Sequence, residues 1–320
     1  MTDSAVTATA PYATVTGADA VHPAAVRQLF ETLEVAAPGG ARPPAGFVPL
    51  SLYLTFALPA WREPGEELPE ARLPPLPYHQ VTRRYGDRAM ATSVEVTAGV
   101  PLRLGDRITS HWRLRGVTEK VTRLGPGTAL GFATDFVNDA GESVAVETAT
   151  LLVFAPGDGG SDDSRAASAA PLPFPDAPAG GPLAPGAPAV GQRLRDVRLR
   201  MTLQRLVMIA AANRDFAPIH HDPAAAVEIG APAPVVNSMY LLTLAERAVW
   251  DTVGFGARIT RLGPLRMLRP TPARSTVVCT GWVTAVEAGP AGVLVRADLA
   301  LGVEGAGLTA RCGVEFLLPG

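Results

Sequence analysis

The stretch Asn213-Arg-Asp-Phe-Ala-Pro-Ile-His-His-Asp222 places two titratable side chains, Asp215 and His220, on either side of a proline. In one α-helix, residues five positions apart point about 140° away from each other, so the pair could not act on one target from a helix. Pro218 lacks an amide hydrogen and disfavours helical geometry in the residue before it. The stretch is therefore predicted to be a short ordered turn that holds Asp215 and His220 together.

Helices are predicted on both sides of this turn. Residues 203–212 form a helix before it, and Asp222-Pro223 has the form of a cap followed by the first residue of the next helix. Further on, Asn237 is a capping residue for a helix over residues 239–253, which Gly254 ends. The first part of this helix is apolar on almost every side, so we expect it to be buried and enclosed by a curved sheet.

Both halves of the chain contain strand-length segments with β-branched residues and alternating apolar positions, separated by turn signals. The segments are residues 100–106, 108–117, 130–138 and 143–154 in the first half, and 264–269, 275–286, 293–302 and 308–318 in the second. Each half is therefore predicted to form an antiparallel sheet. For residues 47–61, which occupy the place of the buried helix in the first half, a helix and a strand are both open.

The composition changes sharply between the two halves. Residues 155–190 are mainly Ala, Pro, Gly, Ser and Asp, with almost nothing to bury, and are predicted to be a linker. A chain of 320 residues is longer than one ordinary core needs. We therefore predict a disordered tail at residues 1–20, one domain at 21–154, the linker, and a second domain at 191–320.

Charge and composition exclude several classes of function. The net charge of −2 and the charged fraction of 18% lack the basic excess that binding to nucleic acid requires. Cys279 and Cys312 show no spacing typical of a metal site or a disulfide framework, so we expect buried, reduced thiols. No apolar run is long enough for a membrane span and the polar start is not a signal peptide, which predicts a cytoplasmic protein without a membrane partner.

The sequence RDFAPIHHDPAAA, residues 214–226, resembles the hydratase motif of the MaoC-like dehydratases, the R-specific enoyl-CoA hydratase group with the hot-dog fold. The residues that match the motif are Asp215, Pro218, Ile219, His220 and Asp222. The segment from Pro74 to Lys120 resembles the partner domain of double hot-dog proteins. The first half is expected to be degenerate, because we identify no Asp-x4-His pattern before Ala155 at any of its histidines, His22, His79 and His111.

The resemblance implies an α+β double hot-dog, in which two antiparallel sheets each wrap a central helix and pack as a pseudo-dimer. It implies reversible addition of water to a 2-enoyl thioester, giving a 3-hydroxyacyl thioester, with Asp215 and His220 binding the water and moving the protons. The backbone amide that binds the thioester oxygen falls at Ser238, where the family usually has Gly. No metal or organic cofactor is implied. The acyl group is carried by CoA or an acyl carrier protein in lipid, steroid or polyketide metabolism, and a homodimer is expected.

Several interpretations stay open on the residues alone. Arg214 pairs with Asp222 or contacts a CoA phosphate, Asn237 caps a helix or contacts substrate, and His221 starts a helix or takes part in catalysis. A hot-dog thioesterase is one alternative function, although it typically needs a carboxylate near the start of its central helix, where this chain offers only Glu246 and Asp251 further along. A non-catalytic acyl-binding protein is the other alternative.

Overall fold

The computed structural model of the protein describes residues 11–58, 77–86, 88–122, 125–154, 170–228 and 231–319. Within these residues, ten strands form one antiparallel sheet in the order β1-β3-β4-β5-β2-β7-β10-β9-β8-β6. The strands are β1 (Ala13–Thr16), β2 (Arg88–Ala98), β3 (Thr109–Thr122), β4 (Gly125–Val137), β5 (Ser143–Phe154), β6 (Val197–Met201), β7 (Arg258–Met267), β8 (Ser275–Gly289), β9 (Gly292–Val303) and β10 (Gly307–Leu318).

The sheet consists of two halves with the same internal order. Strands β1 to β5 and strands β6 to β10 occupy corresponding places, with β2 of the first half beside β7 of the second. These two strands pair antiparallel, with Val94 opposite Leu265 and Thr97 opposite Arg261. The arrangement is the predicted double hot-dog, with the two halves joined edge to edge by backbone hydrogen bonds.

Helix α5 (Ser238–Val253) lies at the centre of the second half and packs against β7. The Asn237 side chain accepts a hydrogen bond from the Tyr240 amide, and Gly254 ends the helix at φ 81°. Its residues are buried from Met239 to Asp251. The predicted cap, stop and burial of this helix are confirmed. The other helices are α1 (Pro23–Leu33), α2 (Pro77–Thr82), α3 (Leu203–Asn213) and α4 (Pro223–Glu228).

The first half differs from the prediction in two places. Residues 47–58 contain neither a strand nor an α-helix but two short 3₁₀ helices, Leu50–Leu52 and Thr55–Ala57, and Trp61 lies outside the described residues. The predicted strand at residues 100–106 is a turn, because Gly105 has a φ of 96° and the Asp106 carboxylate accepts the Arg103 amide at 2.8 Å. The strand of this region is β2, immediately before the turn.

Part of the expected tail and part of the expected linker are ordered, and residues 1–10 of the expected tail lie outside the described residues. Residues 13–16 of the expected tail form β1, which pairs with β3, because extended backbone gains a ladder of hydrogen bonds at a free sheet edge. The second part of the expected linker is also packed, since Leu183 is 5% exposed and the Leu172 carbonyl accepts the Leu308 amide at 2.8 Å. The part at residues 155–169 lies outside the described residues.

Both cysteines are free and buried, as expected. Among the described helices, none is long and apolar enough to cross a membrane. The described residues also contain no group of His, Cys, Asp and Glu side chains that could hold a metal ion.

Candidate active site

The turn after α3 brings Asp215 and His220 together. Arg214 leaves the helix in the left-handed region at φ 54°, and the Asp215 amide returns to the Ala210 carbonyl at 2.9 Å. A 3₁₀ helix at Pro218–His220 then turns the chain back. As a result, His220 Nε2 lies 3.4 Å from Asp215 Oδ2. The predicted non-helical link between the two side chains is present.

The other nitrogen of His220 fixes the ring. Nδ1 lies 2.8 Å from the Val235 carbonyl, which can only accept, so Nδ1 carries a hydrogen. Nε2 then faces the Asp215 carboxylate, which is also an acceptor when ionised. Without a proton on Nε2, two acceptors would face each other. A proton on Nε2 lets the ring donate to the carboxylate. The geometry therefore favours an imidazolium beside a carboxylate.

The electrostatics agree with this proton distribution. Burial alone would lower the pKa of His220, but the Asp215 charge, its hydrogen bond and the Val235 carbonyl raise the pKa above the ordinary 6.5. Burial alone would raise the pKa of Asp215, but His220, the Ala217 amide and the Asn237 side chain lower it below 3.8. Each member of the pair stabilises the charged form of the other.

The start of α5 lies against this pair. Asn237 Oδ1 accepts hydrogen bonds from the Tyr240 amide at 2.8 Å and from Asn213 Nδ2 at 3.3 Å, while the side chain lies close enough to Asp215 to lower its pKa. Ser238 follows as the first helical residue and is partly exposed. Its amide N–H has no hydrogen-bond acceptor among the described residues, as expected for the first turn of a helix. This N–H is free to bind an anionic oxygen at the positive end of the helix dipole.

The residues next to Asp215 and His220 in the sequence form contacts that hold the loop in place. Arg214 binds Asp19 at 3.2 Å instead of Asp222, because the left-handed turn directs its side chain to the first half. Asp222 caps α4 by accepting the Ala224 amide at 2.8 Å. His221 does not start a helix; it ends the 3₁₀ turn, and its Nε2 lies 3.0 Å from the Phe216 carbonyl. Asp222 and His221 therefore both form hydrogen bonds with the backbone of the loop.

The carboxylates of α5 serve the contact between the two halves. Glu246 accepts the Leu50 amide at 2.8 Å and the Ser51 amide at 3.0 Å, and burial, opposed by these bonds, raises its pKa to about 7. Asp251 accepts the Ala36 amide at 2.7 Å and pairs with Arg247 at 3.1 Å. Neither carboxylate is placed to activate water, which disfavours the thioesterase interpretation.

The expectation that the first half lacks this spacing is wrong, because Asp106 and His111 are separated by four residues, so spacing alone does not distinguish the halves. Their partners do. Asp106 binds the Arg103 amide in a turn, and His111 Nδ1 lies 3.1 Å from the Thr14 hydroxyl on β1. No proline turn brings these two side chains onto one target, and the prediction of a single catalytic pair stays a prediction.

The first half contributes polar groups that sequence reasoning missed. The Tyr53 hydroxyl donates to the buried Glu147 carboxylate. Burial raises the pKa of Tyr78 far above its ordinary value, and the charges of Asp215 and Glu147 raise it further. The only signal in the sequence is Glu147 at an inward-facing position of an alternating strand.

Comparison with known proteins identifies the family. No protein-family model matches the chain. The 3-oxo-4,17-pregnadiene-20-carboxyl-CoA hydratase beta subunit of Mycobacterium tuberculosis is 38% identical over 100 residues, which are 31% of this chain and 77% of that protein. The chain belongs to the MaoC-like dehydratase family. At the level of this family its activity is that of a hydratase or dehydratase.

Solved structures show the fold of this MaoC-like chain. A MaoC-like dehydratase superimposes with a TM-score of 0.69 at 16% identity, covering 97% of this chain and 98% of the other. A MaoC domain protein dehydratase from Chloroflexus aurantiacus J-10-fl gives a TM-score of 0.65 at 13% identity, covering 99% of both chains. At these identities the likeness concerns the fold, which is that of the double hot-dog.

Proposed function

We propose that this MaoC-like protein adds water reversibly to a 2-enoyl thioester, giving a 3-hydroxyacyl thioester. The observation that carries the proposal is the pairing of Asp215 with His220 at 3.4 Å, with the second imidazole nitrogen held by Val235. Such a pair offers a base and an acid at one point, which addition of water across a double bond requires.

The protonation states of Asp215 and His220 determine which residue acts as the base and which as the acid. Asp215, held ionised, accepts a proton from water as the water oxygen bonds to the β-carbon. His220, held protonated, donates a proton to the α-carbon. Transfer of the proton from Asp215 to His220 then restores the starting state, and the net change is one water added. Dehydration follows the same steps in reverse.

Charge on the thioester oxygen needs a donor during this reaction. We propose the Ser238 amide, which is unpaired among the described residues and lies at the start of α5. The Ser238 side chain leaves less space beside the thioester oxygen than the glycine that is usual in the family. Asp215, His220 and this amide account for every proton and charge in the scheme, which calls for no metal or organic cofactor.

We propose one active site per chain, in a domain at residues 191–320 beside a non-catalytic domain at 21–154. The M. tuberculosis relative is named for a pregnadiene carboxyl-CoA, which supports CoA as the carrier and lipid or steroid metabolism as the setting. Polyketide metabolism stays a prediction from the resemblance. Arg214 lies next to Asp215 at the start of the turn, with its side chain partly buried, and is the proposed contact for a CoA phosphate. A homodimer is proposed from the family and is tested by light scattering of the purified protein.

Incubation with crotonyl-CoA tests the reaction. Loss of the conjugated thioester absorbance without release of free thiol is expected. Release of thiol in step with the loss would instead identify a thioesterase, and tight binding with neither change would identify a non-catalytic acyl-binding protein. Comparison of crotonyl-CoA with crotonyl-acyl carrier protein distinguishes the two carriers.

A further inference from the structure

A row of residues on the inner face of the first half contains two polar side chains. Trp112 on β3 pairs with Thr134 on β4, Thr134 pairs with Glu147 on β5, and Glu147 pairs with Val96 on β2. Residues directly opposite each other in antiparallel strands point to the same face. Trp112, Thr134 and Val96 are 2% exposed or less, so this face covers the core. Glu147 is thus directed inward.

The polar atoms of this row are incompletely paired. Tyr53 donates to Oε2 of Glu147, and no other described residue donates to this carboxylate. The Thr134 hydroxyl is fully buried and has no hydrogen-bond partner among the described residues. A buried polar atom without a partner costs about 1–3 kcal/mol, which a ligand that supplies the partner would recover.

The same face is partly exposed beside Glu147. Ala149, the next inward residue of β5, is partly exposed, although its cross-strand neighbours Phe132 and Val94 are buried. The Tyr78 ring, also partly exposed, lies 6.2 Å from the Phe132 ring and 6.0 Å from the Trp112 ring. Small and aromatic side chains therefore border a part of this face, next to the carboxylate, that solvent reaches at Ala149 and Tyr78.

This part of the face lies on the side of the reaction centre. The Tyr78 ring packs against Trp112 and Phe132 of this face, and the charges of Asp215 and Glu147 both raise its pKa. The Tyr53 segment is attached to the catalytic half, because Thr55 Oγ1 donates to the Asn213 carbonyl at 3.3 Å. An acyl chain that extends from Asp215 past Tyr78 would reach Glu147.

We propose that Glu147, oriented by Tyr53, binds an oxygen substituent, a hydroxyl or a ketone, on the acyl chain of the thioester. The inference rests on the proposed function, since it takes the reacting carbons to lie at Asp215 and His220. Burial, opposed by the Tyr53 hydrogen bond, raises the pKa of Glu147 to about 7, so both of its protonation states are accessible near neutral pH. The carboxylate accepts from a hydroxyl, and the acid donates to a ketone.

The test compares pairs of 2-enoyl-CoA substrates of six to twelve carbons that differ only in a hydroxyl or keto group near the far end. The measured quantity is the ratio of kcat/KM for the oxygenated and plain members of a pair. A site built to hydrogen-bond a substrate oxygen strongly disfavours the analogue that lacks it, so the wild-type ratio is expected to reach about 10 or more at one chain length. The hydroxyl and keto series show which oxygen is preferred.

Glu147→Met, similar in length and without hydrogen-bonding groups, is expected to reduce that ratio to about one. Tyr53→Phe, which removes only a hydroxyl, is expected to lower the ratio. This variant provides the test if the methionine variant does not fold. Glu119→Gln, at an exposed carboxylate of β3, is the control and keeps the wild-type ratio. A wild-type ratio near one at every length, or a preference that survives in folded Glu147→Met, would overturn the inference. Failure to hydrate both crotonyl-CoA and crotonyl-acyl carrier protein would refute the proposed function instead.

Discussion

His220 Nε2 lies 3.4 Å from Asp215 Oδ2, while His220 Nδ1 is bound by the Val235 carbonyl. This relationship leaves the imidazole no freedom to turn away from the carboxylate. It also makes the two side chains interdependent, since each holds the other in its charged form.

Asp215→Asn and His220→Ala should each lower hydratase turnover by about 10²–10⁴-fold in a folded protein, the usual contribution of general acid–base catalysis. The double variant should be little slower than either single variant, because both groups act in one proton-transfer sequence. Steady-state kinetics with crotonyl-CoA measure this, with circular dichroism to verify folding.

His221→Ala is the adjacent control, since its ring contacts only the Phe216 carbonyl among the described residues. It should retain most of the activity. Near-normal turnover in either variant of the pair, or loss of turnover in folded His221→Ala, would contradict the assignment.

The pH dependence follows from the two pKa shifts. Because the folded-state pKa of His220 is raised, its contribution to stability is complete below 6.5 and is lost as the pH rises through the folded value. Because that of Asp215 is lowered, its contribution is present above 3.8 and is lost as the pH falls through the folded value. The alkaline limb of kcat/KM is therefore expected above pH 6.5 and the acid limb below pH 3.8.

Asp215→Asn removes the charge that raises the pKa of His220, so titration of the His220 ring followed by NMR should move to lower pH. His220 titrating at the same pH in both proteins would show that Asp215 does not control its protonation.

Replacing Ser238 by proline should lower turnover by about 10²-fold or more, since the proposed oxyanion donor is its amide. Ser238→Ala keeps the amide and should have a mild effect. Kinetics on both folded variants make the comparison. Equal inactivity of the two would mean that the hydroxyl, and not the backbone, is the working group.

Glu246→Gln should destabilise the protein by about 1–3 kcal/mol, because one of the two amides at Leu50 and Ser51 loses its acceptor. The raised pKa of about 7 means that the folded state binds a proton more tightly than the unfolded state. The stability from this group is present below 4.5 and is lost as the pH rises through about 7. The penalty of the variant should therefore be larger at pH 5 than at pH 8.

Urea unfolding of both proteins at the two pH values measures this penalty. Glu31→Gln, at an exposed carboxylate of α1, is the matched control. An equal penalty at pH 5 and pH 8 would show that Glu246 does not gain its proton on folding.

Local signals made the second half predictable. The cap at Asn237, the stop at Gly254 and the proline of the turn each act within a few residues, so the bounds of α5 and the convergence of Asp215 and His220 followed from the sequence. The same reasoning missed β2, whose run of Ala, Thr and Ser has few large apolar residues to mark an alternation.

The contribution of the first half could not be predicted, because its causes are distant in sequence. The 3₁₀ segment at Leu50–Leu52 depends on Glu246, and the inward orientation of Glu147 depends on Tyr53 and the pairing of three strands. A single acidic residue in an apolar alternation has no periodic signal that distinguishes a binding group from a surface position.

The pairing of β2 with β7 leaves β1 and β6 as the outer strands of the described sheet. Long, flat outer strands are templates for edge-to-edge aggregation. Here β1 has four residues and β6 has five, with the exposed Arg198 and Arg200 alternating along β6. Fusion of two units in one chain thus removes the two longest free edges and leaves short ones, one of them charged, so that the sheet offers a neighbouring molecule little backbone to extend.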